Sequence, residues 1–173
     1  LLRAHGERPR YQHNVVGTTA RLDGLQAAVL RRKLTRLEGW NDERRRLGST
    51  LRARLQAELE DQACERAIEL TSAPSAEGDH VYHLFVVRTD SRDELREHLS
   101  RCGVASAVHY PTPIHLTEAY AGLGLARGSL PASERLAESM CSLPLFPGMT
   151  DGELERVLDA VLAFAQDRAV QER

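Results

Sequence analysis

The fold is decided by residues 81–110, which read VYHLFVVRTDSRDELREHLSRCGVASAVHY. The first part, Val81–Val87, is rich in β-branched and aromatic residues and predicts a central strand. Ser91–Glu94 has the spacing of a capping box, and the helix that it opens is expected to stop at Gly103. Val104–Tyr110 predicts a second strand. A strand, a helix and a strand in short succession indicate a small α+β layer.

Upstream of this layer the sequence predicts a helical arm. Residues 1–20 mix Gly, Pro, Tyr and His without a helical period, which is typical of an irregular loop. Between Leu22 and Leu37 aliphatic residues recur at the spacing of a buried helix face, and Thr19 is expected to cap this helix. Gly39 is the expected break. A second helix is then predicted from Trp40 to about residue 59.

Downstream of the layer, prolines and capping signals mark shorter elements. Pro111–His115 predicts a rigid, non-helical segment, followed by a short helix over residues 118–123. Pro131 is placed for the first turn of a helix that ends near Cys141. Residues 143–147 contain two prolines and predict an extended edge piece. Thr150–Glu153 is a second capping box, and it opens an amphipathic helix that runs to the end of the chain.

Composition favours a globular domain and excludes several classes of protein. The 173 residues are 42% apolar and 28% charged, with a net charge of −2. This balance argues against nucleic acid as a main partner. No apolar run approaches the roughly 20 residues that a membrane span needs, so no membrane partner is expected. Because the sequence has no signal-peptide layout and no initiator Met, we expect it to start inside a longer, cytoplasmic protein.

Cysteine and histidine spacing predicts no metal site. Cys64, Cys102 and Cys141 lie far apart in the sequence and form no C-x-x-C pair. Their apolar neighbours indicate buried thiols in a reducing compartment. His80 and His83 are three residues apart on a predicted strand, so they face opposite sides and cannot share a metal ion.

The segment His109–His115 is the first candidate binding site. It follows a predicted strand and holds two histidines and a tyrosine, while its prolines restrict the backbone. A rigid loop that carries hydrogen-bonding rings suits a polyhydroxylated ligand. The alternative is a pair of surface histidines beside a structural proline loop.

The second candidate lies before the first predicted helix. Gly17, Thr18 and Thr19 place hydroxyls and backbone N–H groups at the helix start, and Arg21 adds a positive charge. This arrangement is typical of an anion site. The alternative is an ordinary threonine N-cap.

Several stretches, taken in order, carry a resemblance to a known family. They are RAHG at 3–6, VGTTARLDGLQAAVL at 16–30, WNDERR at 40–45, HVYHLFV at 80–86, RDEL at 92–95, HYPTPIHL at 109–116, LPASERLA at 130–137 and LPLFPGMT at 143–150. Together they resemble the DegT/DnrJ/StrS-type sugar aminotransferases over nearly the whole chain. The order of the motifs makes the resemblance far more specific than any one of them.

The resemblance implies a pyridoxal phosphate (PLP) enzyme with the type I, aspartate-aminotransferase fold. Members of the family transfer an amino group, usually from glutamate, to a nucleotide-linked keto sugar for antibiotic sugars or cell-surface polysaccharides. They are homodimers with shared active sites. Residues 1–40 would then be the end of the large PLP-binding domain with its connecting helix. Residues 41–173 would be the C-terminal small α+β domain.

The resemblance also implies roles for five residues. Thr19 stands where the family has an Asn that reaches the PLP phosphate of the neighbouring subunit, and Arg21 beside it would bind phosphate or form interface ion pairs. His109 and Tyr110 match the His-Tyr-Pro loop near the sugar and PLP, and they are expected to contact the substrate. His115 matches the last histidine of that motif and is the third candidate substrate-binding residue.

The catalytic lysine is missing from this sequence. In the family, the lysine that forms the Schiff base with PLP lies upstream of the Arg-x-His-Gly segment, whereas Lys33, the single lysine here, matches a helix position. No catalytic residue is therefore assigned, and we expect the isolated chain to be inactive. Two alternatives stay open: a non-catalytic fragment that dimerises or binds a ligand, and a related PLP-dependent dehydratase with His in place of the lysine.

Overall fold

The computed structural model describes residues 1–9, 11–20, 22–61, 64, 67–71 and 80–171. The chain divides into two compact units, Leu1–Trp40 and Asn41–Arg173. Among the described residues, no helix is both long enough and apolar enough to cross a membrane.

The first unit consists of a turn-rich segment and helix α1, Gly24–Leu34. The predicted cap was wrong, because Asp23 occupies the N-cap position and its carboxylate accepts the N–H of Leu25 at 2.8 Å. The predicted burial of the helix was also wrong. Helix α1 buries no residue, and Leu25 is 82% exposed. The apolar spacing predicted the helix correctly, but within the described structure nothing covers its face.

Helix α2, Leu37–Asp61, joins the two units and confirms the predicted helical arm. Its interruption lies at Thr35, not at Gly39, which is an ordinary residue of α2. The Thr35 hydroxyl donates to the carbonyl of Arg32 at 2.8 Å and so satisfies a carbonyl at the end of α1. In the second unit, buried leucines follow each other at four-residue spacing along α2: Leu47, Leu51, Leu55 and Leu59.

A three-stranded antiparallel sheet lies at the centre of the second unit. Strands β1 (Glu69–Leu70), β2 (Phe85–Arg88) and β3 (Met140–Leu143) run in the order β1-β2-β3. Val87 of β2 is paired with Leu70 on one side and Cys141 on the other. The central strand is thus confirmed, although it begins four residues later than predicted.

The predicted second strand, Val104–Tyr110, was wrong. This segment touches the sheet only through an isolated bridge between Ala107 and Ser142. Residues 140–143 pair with β2 instead, and for the same reason the helix that begins at Pro131 ends at Ser139 rather than near Cys141. The α+β class is confirmed, but the third strand comes from a different part of the chain.

Helices α3 (Arg92–Arg101), α4 (Pro131–Ser139) and α5 (Asp151–Gln171) complete the second unit, and α3 packs against α5 and contacts β3. The capping box of α5 is formed: the N–H of Thr150 donates to the Glu153 carboxylate at 2.8 Å. Ser91 makes no side-chain cap bond, so the capping box predicted for α3 is absent there. Helix α3 ends as predicted, with Gly103 in the left-handed conformation.

The core of the second unit joins α2, the sheet, α3 and α5. Its members include the four α2 leucines together with Phe85, Val87, Leu95, Leu99, Cys141, Leu158 and Val161. Cys64 and Cys141 are buried, whereas Cys102 is exposed, so the prediction of buried thiols holds for two of the three. Two short 3₁₀ helices, Ile114–Leu116 and Glu118–Leu123, lie between α3 and α4.

Candidate functional site

A buried histidine–carboxylate pair anchors the loop of residues 109–115. His115 is 6% exposed and Glu134 is 7% exposed, and His115 Nε2 lies 3.0 Å from Glu134 Oε1. His115 comes from the first 3₁₀ helix and Glu134 from the first turns of α4. The pair therefore ties together two elements that are 19 residues apart in the sequence.

Glu134 has further partners in the turn before α4. Its two carboxylate oxygens accept the N–H of Gly128 at 2.9 and 2.8 Å, and one of them accepts the N–H of Leu130 at 3.2 Å. The Gly128 N–H above all, with smaller contributions from His115 and the Leu130 N–H, lowers the pKa of Glu134 against the opposing effect of burial. An ionised carboxylate only accepts hydrogen bonds, so His115 donates from Nε2.

The other end of the loop is held by the sheet. His109 Nδ1 lies 2.9 Å from the hydroxyl of Ser142, a buried residue of β3. The bridge between Ala107 and Ser142 places the backbone for this contact. The peptide bond between His109 and Tyr110 is cis, and the two rings meet edge to face. Tyr110 itself is 73% exposed.

A cavity of about 320 Å³ opens between the loop and α4. Its polar lining comes from Tyr110, Thr112, His115 and Ser133. The apolar lining comes from the loop, the N-terminus of α4 and β3, namely Pro113, Ile114, Leu130, Leu136, Ala137 and Met140. Mixed lining and a volume of this order are typical of small-molecule sites.

The second predicted site lies in the other unit, in the turn-rich segment of residues 1–20. The Thr19 hydroxyl lies 2.7 Å from His5 Nε2, and Ala4 is paired with Thr19 in an antiparallel bridge. The segment is closely packed: a Cβ on Gly17 would lie 2.3 Å from the backbone nitrogen of Gly6. Thr19 is exposed. Arg21, the other residue predicted here, lies outside the described residues.

The structure thus places three of the five predicted site residues on one loop. His109, Tyr110 and His115 lie on the loop beside the cavity, whereas Thr19 belongs to the first unit. In the part of the chain that the structure describes, no group of three or more His, Cys, Asp or Glu side chains is arranged to hold a metal ion.

Sequence reasoning missed the two residues that anchor the loop. Ser142 stands inside the apolar run of β3 and resembles any core position. Glu134 carried a weak signal, because it is a carboxylate in the early turns of a helix that begins with proline, where backbone N–H groups need acceptors. Neither position shows its partner in the local sequence.

Comparison with known proteins gives a family match over most of the chain. The model of the DegT/DnrJ/EryC1/StrS aminotransferase family matches residues 1–162. The erythromycin biosynthesis sensory transduction protein EryC1 of Saccharopolyspora erythraea is 43% identical over 95% of this chain and 43% of its own length. The dTDP-3-amino-3,4,6-trideoxy-alpha-D-glucose transaminase of Streptomyces venezuelae is 42% identical over 96% of this chain and 42% of its own length.

The fold agrees with solved structures of such proteins. The crystal structure of S. venezuelae DesV in complex with a ketimine intermediate superposes with a TM-score of 0.79 at 43% identity. The alignment covers 95% of this chain and 42% of that one. A DegT DnrJ EryC1 StrS aminotransferase from Brucella abortus gives a TM-score of 0.75 at 27% identity, over 95% of this chain and 41% of that chain. The chain thus spans less than half the length of each of these proteins.

Proposed function

This chain belongs to the DegT/DnrJ/EryC1/StrS aminotransferase family, and from that premise we propose that it is the C-terminal part of a PLP-dependent sugar aminotransferase. The complete enzyme would transfer an amino group, with glutamate as donor, to a nucleotide-linked keto sugar for an antibiotic sugar or a cell-surface polysaccharide. One observation carries the proposal: 42% identity to a named dTDP-sugar transaminase across 96% of the chain.

The loop of residues 109–115 supplies the substrate contacts in this proposal. Its exposed Tyr110 presents a hydroxyl that can donate to or accept from a sugar or phosphate oxygen. Because Ser142 engages His109 through Nδ1, we assign Nε2 as the nitrogen that contacts substrate. The adjacent cavity of about 320 Å³ has polar and apolar walls, which suits the two faces of a sugar ring.

The described residues fit the phosphate end of the cofactor but not its aldehyde end. Thr19 carries an exposed hydroxyl beside His5, and a hydroxyl is a suitable donor to a phosphate oxygen. Lys33, the only lysine of the sequence, lies exposed in the last turn of α1 rather than in a desolvated site. When bound, PLP supplies the electron sink for amino transfer. This chain would hold phosphate through Thr19 and Arg21 and orient the sugar through His109 and Tyr110, while the reactive lysine belongs upstream.

A homodimer with shared active sites is the assembly that we propose. Apolar side chains on α1 and at its start lie open in the described structure, with Leu22, Leu25, Val29, Leu30 and Leu34 each more than half exposed. A contiguous exposed face of this kind marks a surface that needs a partner. The large domain of the complete enzyme or a second subunit would cover it.

The function is tested with a version of the protein extended upstream of Leu1. We expect the purified extended protein to bind PLP and to show an absorbance shift of the cofactor when glutamate is added. Mass spectrometry should then detect an aminated nucleotide sugar after a keto-sugar nucleotide is supplied. Loss of water from the sugar without amination would point to a dehydratase. Absence of both cofactor uptake and turnover would refute the proposal.

The isolated 173-residue chain is expected to be inactive in the same assay. It lacks a desolvated lysine. A purified chain that aminates a keto sugar unaided would therefore overturn the proposal that the reactive lysine lies upstream of this sequence. A chain that binds ligand but never reacts, with no active extended form, would favour a non-catalytic binding module.

Tyr110→Phe in the extended enzyme tests the substrate loop. Removal of one hydroxyl that bonds the substrate should lower kcat/KM for the keto sugar about three- to tenfold, since such a bond is worth roughly 0.5–1.5 kcal/mol. Tyr120→Phe is the matched control, because Tyr120 is a half-exposed tyrosine in the neighbouring 3₁₀ helix. Equal effects of the two substitutions would argue against a substrate contact at Tyr110.

A further inference from the structure

We propose that Glu134 is a positioning residue that sets the conformation of the 109–115 loop and thereby the affinity for the sugar substrate, an inference that rests on the proposed function. Its carboxylate joins three chain segments at one point: the first 3₁₀ helix, the turn at Gly128 and the start of α4. Glu134 lies in the LPASERLA stretch that carries the family resemblance, but the resemblance assigned it no role.

The bonding of Glu134 exceeds what a helix cap requires. A capping carboxylate commonly reaches back to the N-cap N–H, and Glu134 makes that bond to Leu130. It also accepts the Gly128 N–H with both oxygens and receives the Nε2–H of His115. Burial to 7% exposure makes these bonds costly to lose, because a buried carboxylate without partners is strongly unfavourable.

Few backbone hydrogen bonds within the loop can stabilise its conformation. Pro111 and Pro113 lack backbone N–H groups, so they cannot contribute donor bonds. Local bonds start only at the first 3₁₀ helix, where the N–H of Leu116 donates to the carbonyl of Pro113 at 2.9 Å. The two ends are therefore held from outside the loop, by Ser142 at His109 and by Glu134 at His115.

Glu134 contacts the loop that is assigned to the sugar substrate, so its substitution should affect the sugar and the amino donor differently. The exposed Tyr110 and the cavity lie between the two anchors, so a change at Glu134 would displace the groups assigned to the sugar. Thr19, which is assigned to the cofactor phosphate, belongs to the first unit, where its hydroxyl lies 2.7 Å from His5 Nε2. Loss of the Glu134 anchor should therefore weaken sugar binding and leave the reaction with the amino donor intact.

The kinetic test compares Glu134→Gln with Glu138→Gln in the extended enzyme. Gln keeps the size of the side chain but removes the charge that receives the His115 and Gly128 donors. Glu138 lies one turn further along α4, is exposed, and pairs with Arg127 at 2.9 Å, so it is a matched control. We expect Glu134→Gln to raise KM for the keto sugar about tenfold, while the rate of the cofactor absorbance change with glutamate stays within about twofold. Glu138→Gln should change neither quantity.

A second measurement, hydrogen exchange, tests the proposal without requiring catalytic activity. Hydrogen exchange in Glu134→Gln should accelerate at the hydrogen-bonded amides of Leu116, Thr117, Gly128 and Leu130, while the amides of α5 keep their protection. Exchange that rises uniformly, or KM values for donor and sugar that rise together, would show a role in overall stability and overturn the proposal. Exchange and kinetics equal to those of Glu138→Gln would overturn it as well. If the unsubstituted extended enzyme aminates no sugar, the proposed function fails, and the exchange pattern alone decides whether Glu134 positions the loop.

Discussion

His109 and His115 stand at the two ends of one short loop, and each ring is oriented by a buried oxygen. Ser142 holds the first ring through Nδ1 and Glu134 holds the second through Nε2. Opposite ring nitrogens are engaged, so the second ring nitrogen is Nε2 in His109 and Nδ1 in His115. Hydrogen bonds therefore orient the two histidine side chains, and the partners of these bonds lie on β3 and α4 rather than in the loop.

The lowered pKa of Glu134 predicts that the free energy of unfolding depends on pH. Its pKa is lowered in the folded chain, so its stabilising contribution is complete above the ordinary glutamate value of about 4.3 and is lost as the pH falls through the lower folded value. Urea unfolding between pH 3 and pH 7 should show a steeper loss of stability at acidic pH for the unsubstituted chain than for Glu134→Gln. Parallel curves for the two proteins would contradict this assignment.

Helix α2 is the element that supports the turn before the central strand. Arg44 Nη1 donates to the carbonyls of Tyr82 at 3.1 Å and Leu145 at 3.0 Å, and so joins two loops to the helix. One turn further on, Gly48 lies against the ring of Tyr82, whose backbone is left-handed with φ of 48°. The turn at Tyr82 shortens the predicted strand, and a helix surface without a side chain at position 48 makes room for it.

Two glycines of α2 should respond in opposite directions to the same substitution. A Cβ on Gly48 would lie 2.3 Å from Cγ of Tyr82, so Gly48→Ala should destabilise the chain by roughly 1–3 kcal/mol. A Cβ on Gly39 would meet nothing within 4 Å, so Gly39→Ala should stabilise it by up to about 1 kcal/mol. Chemical denaturation of both variants measures the difference. A Gly48→Ala protein as stable as Gly39→Ala would refute the packing of Tyr82 on α2.

The exposed face of α1 is the feature that matters at the scale of the whole molecule. Complete burial of one leucine side chain stabilises by about 1.5–3 kcal/mol, and α1 with its flanking residues offers several such side chains to a partner. In the second unit the apolar side chains of α2 and α5 find partners within the unit and form its core. The two units thus differ in how completely each covers its own apolar surface.

The chain is therefore expected to associate in solution, and the association should depend on α1. Leu25→Gln combined with Leu30→Gln should weaken it at least tenfold, as judged by sedimentation velocity over a range of concentrations. Val170→Gln is the control, since Val170 is an exposed apolar residue near the end of α5, in the second unit. A monodisperse monomer with cooperative unfolding would instead favour an autonomous module.

The amino-acid sequence by itself determined the elements whose signals are local. The capping box Thr150–Glu153 and the apolar period after it predicted α5, and the β-branched run before Arg88 predicted the central strand. The ordered motifs identified the family over nearly the whole chain, and the family model matches residues 1–162. Caps, periods and motifs are readable because their physical causes act within a few neighbouring residues.

Only the tertiary structure decided the partners of distant residues. It placed Met140–Leu143 beside β2 in the position that Val104–Tyr110 was expected to fill, because pairing depends on which backbone reaches the sheet edge. It joined Glu134 to His115 and Ser142 to His109 across 19 and 33 residues. It also left α1 uncovered, although its spacing is that of a buried face. An apolar period fixes which side of a helix needs cover, but the cover itself is a property of what the rest of the protein places against it.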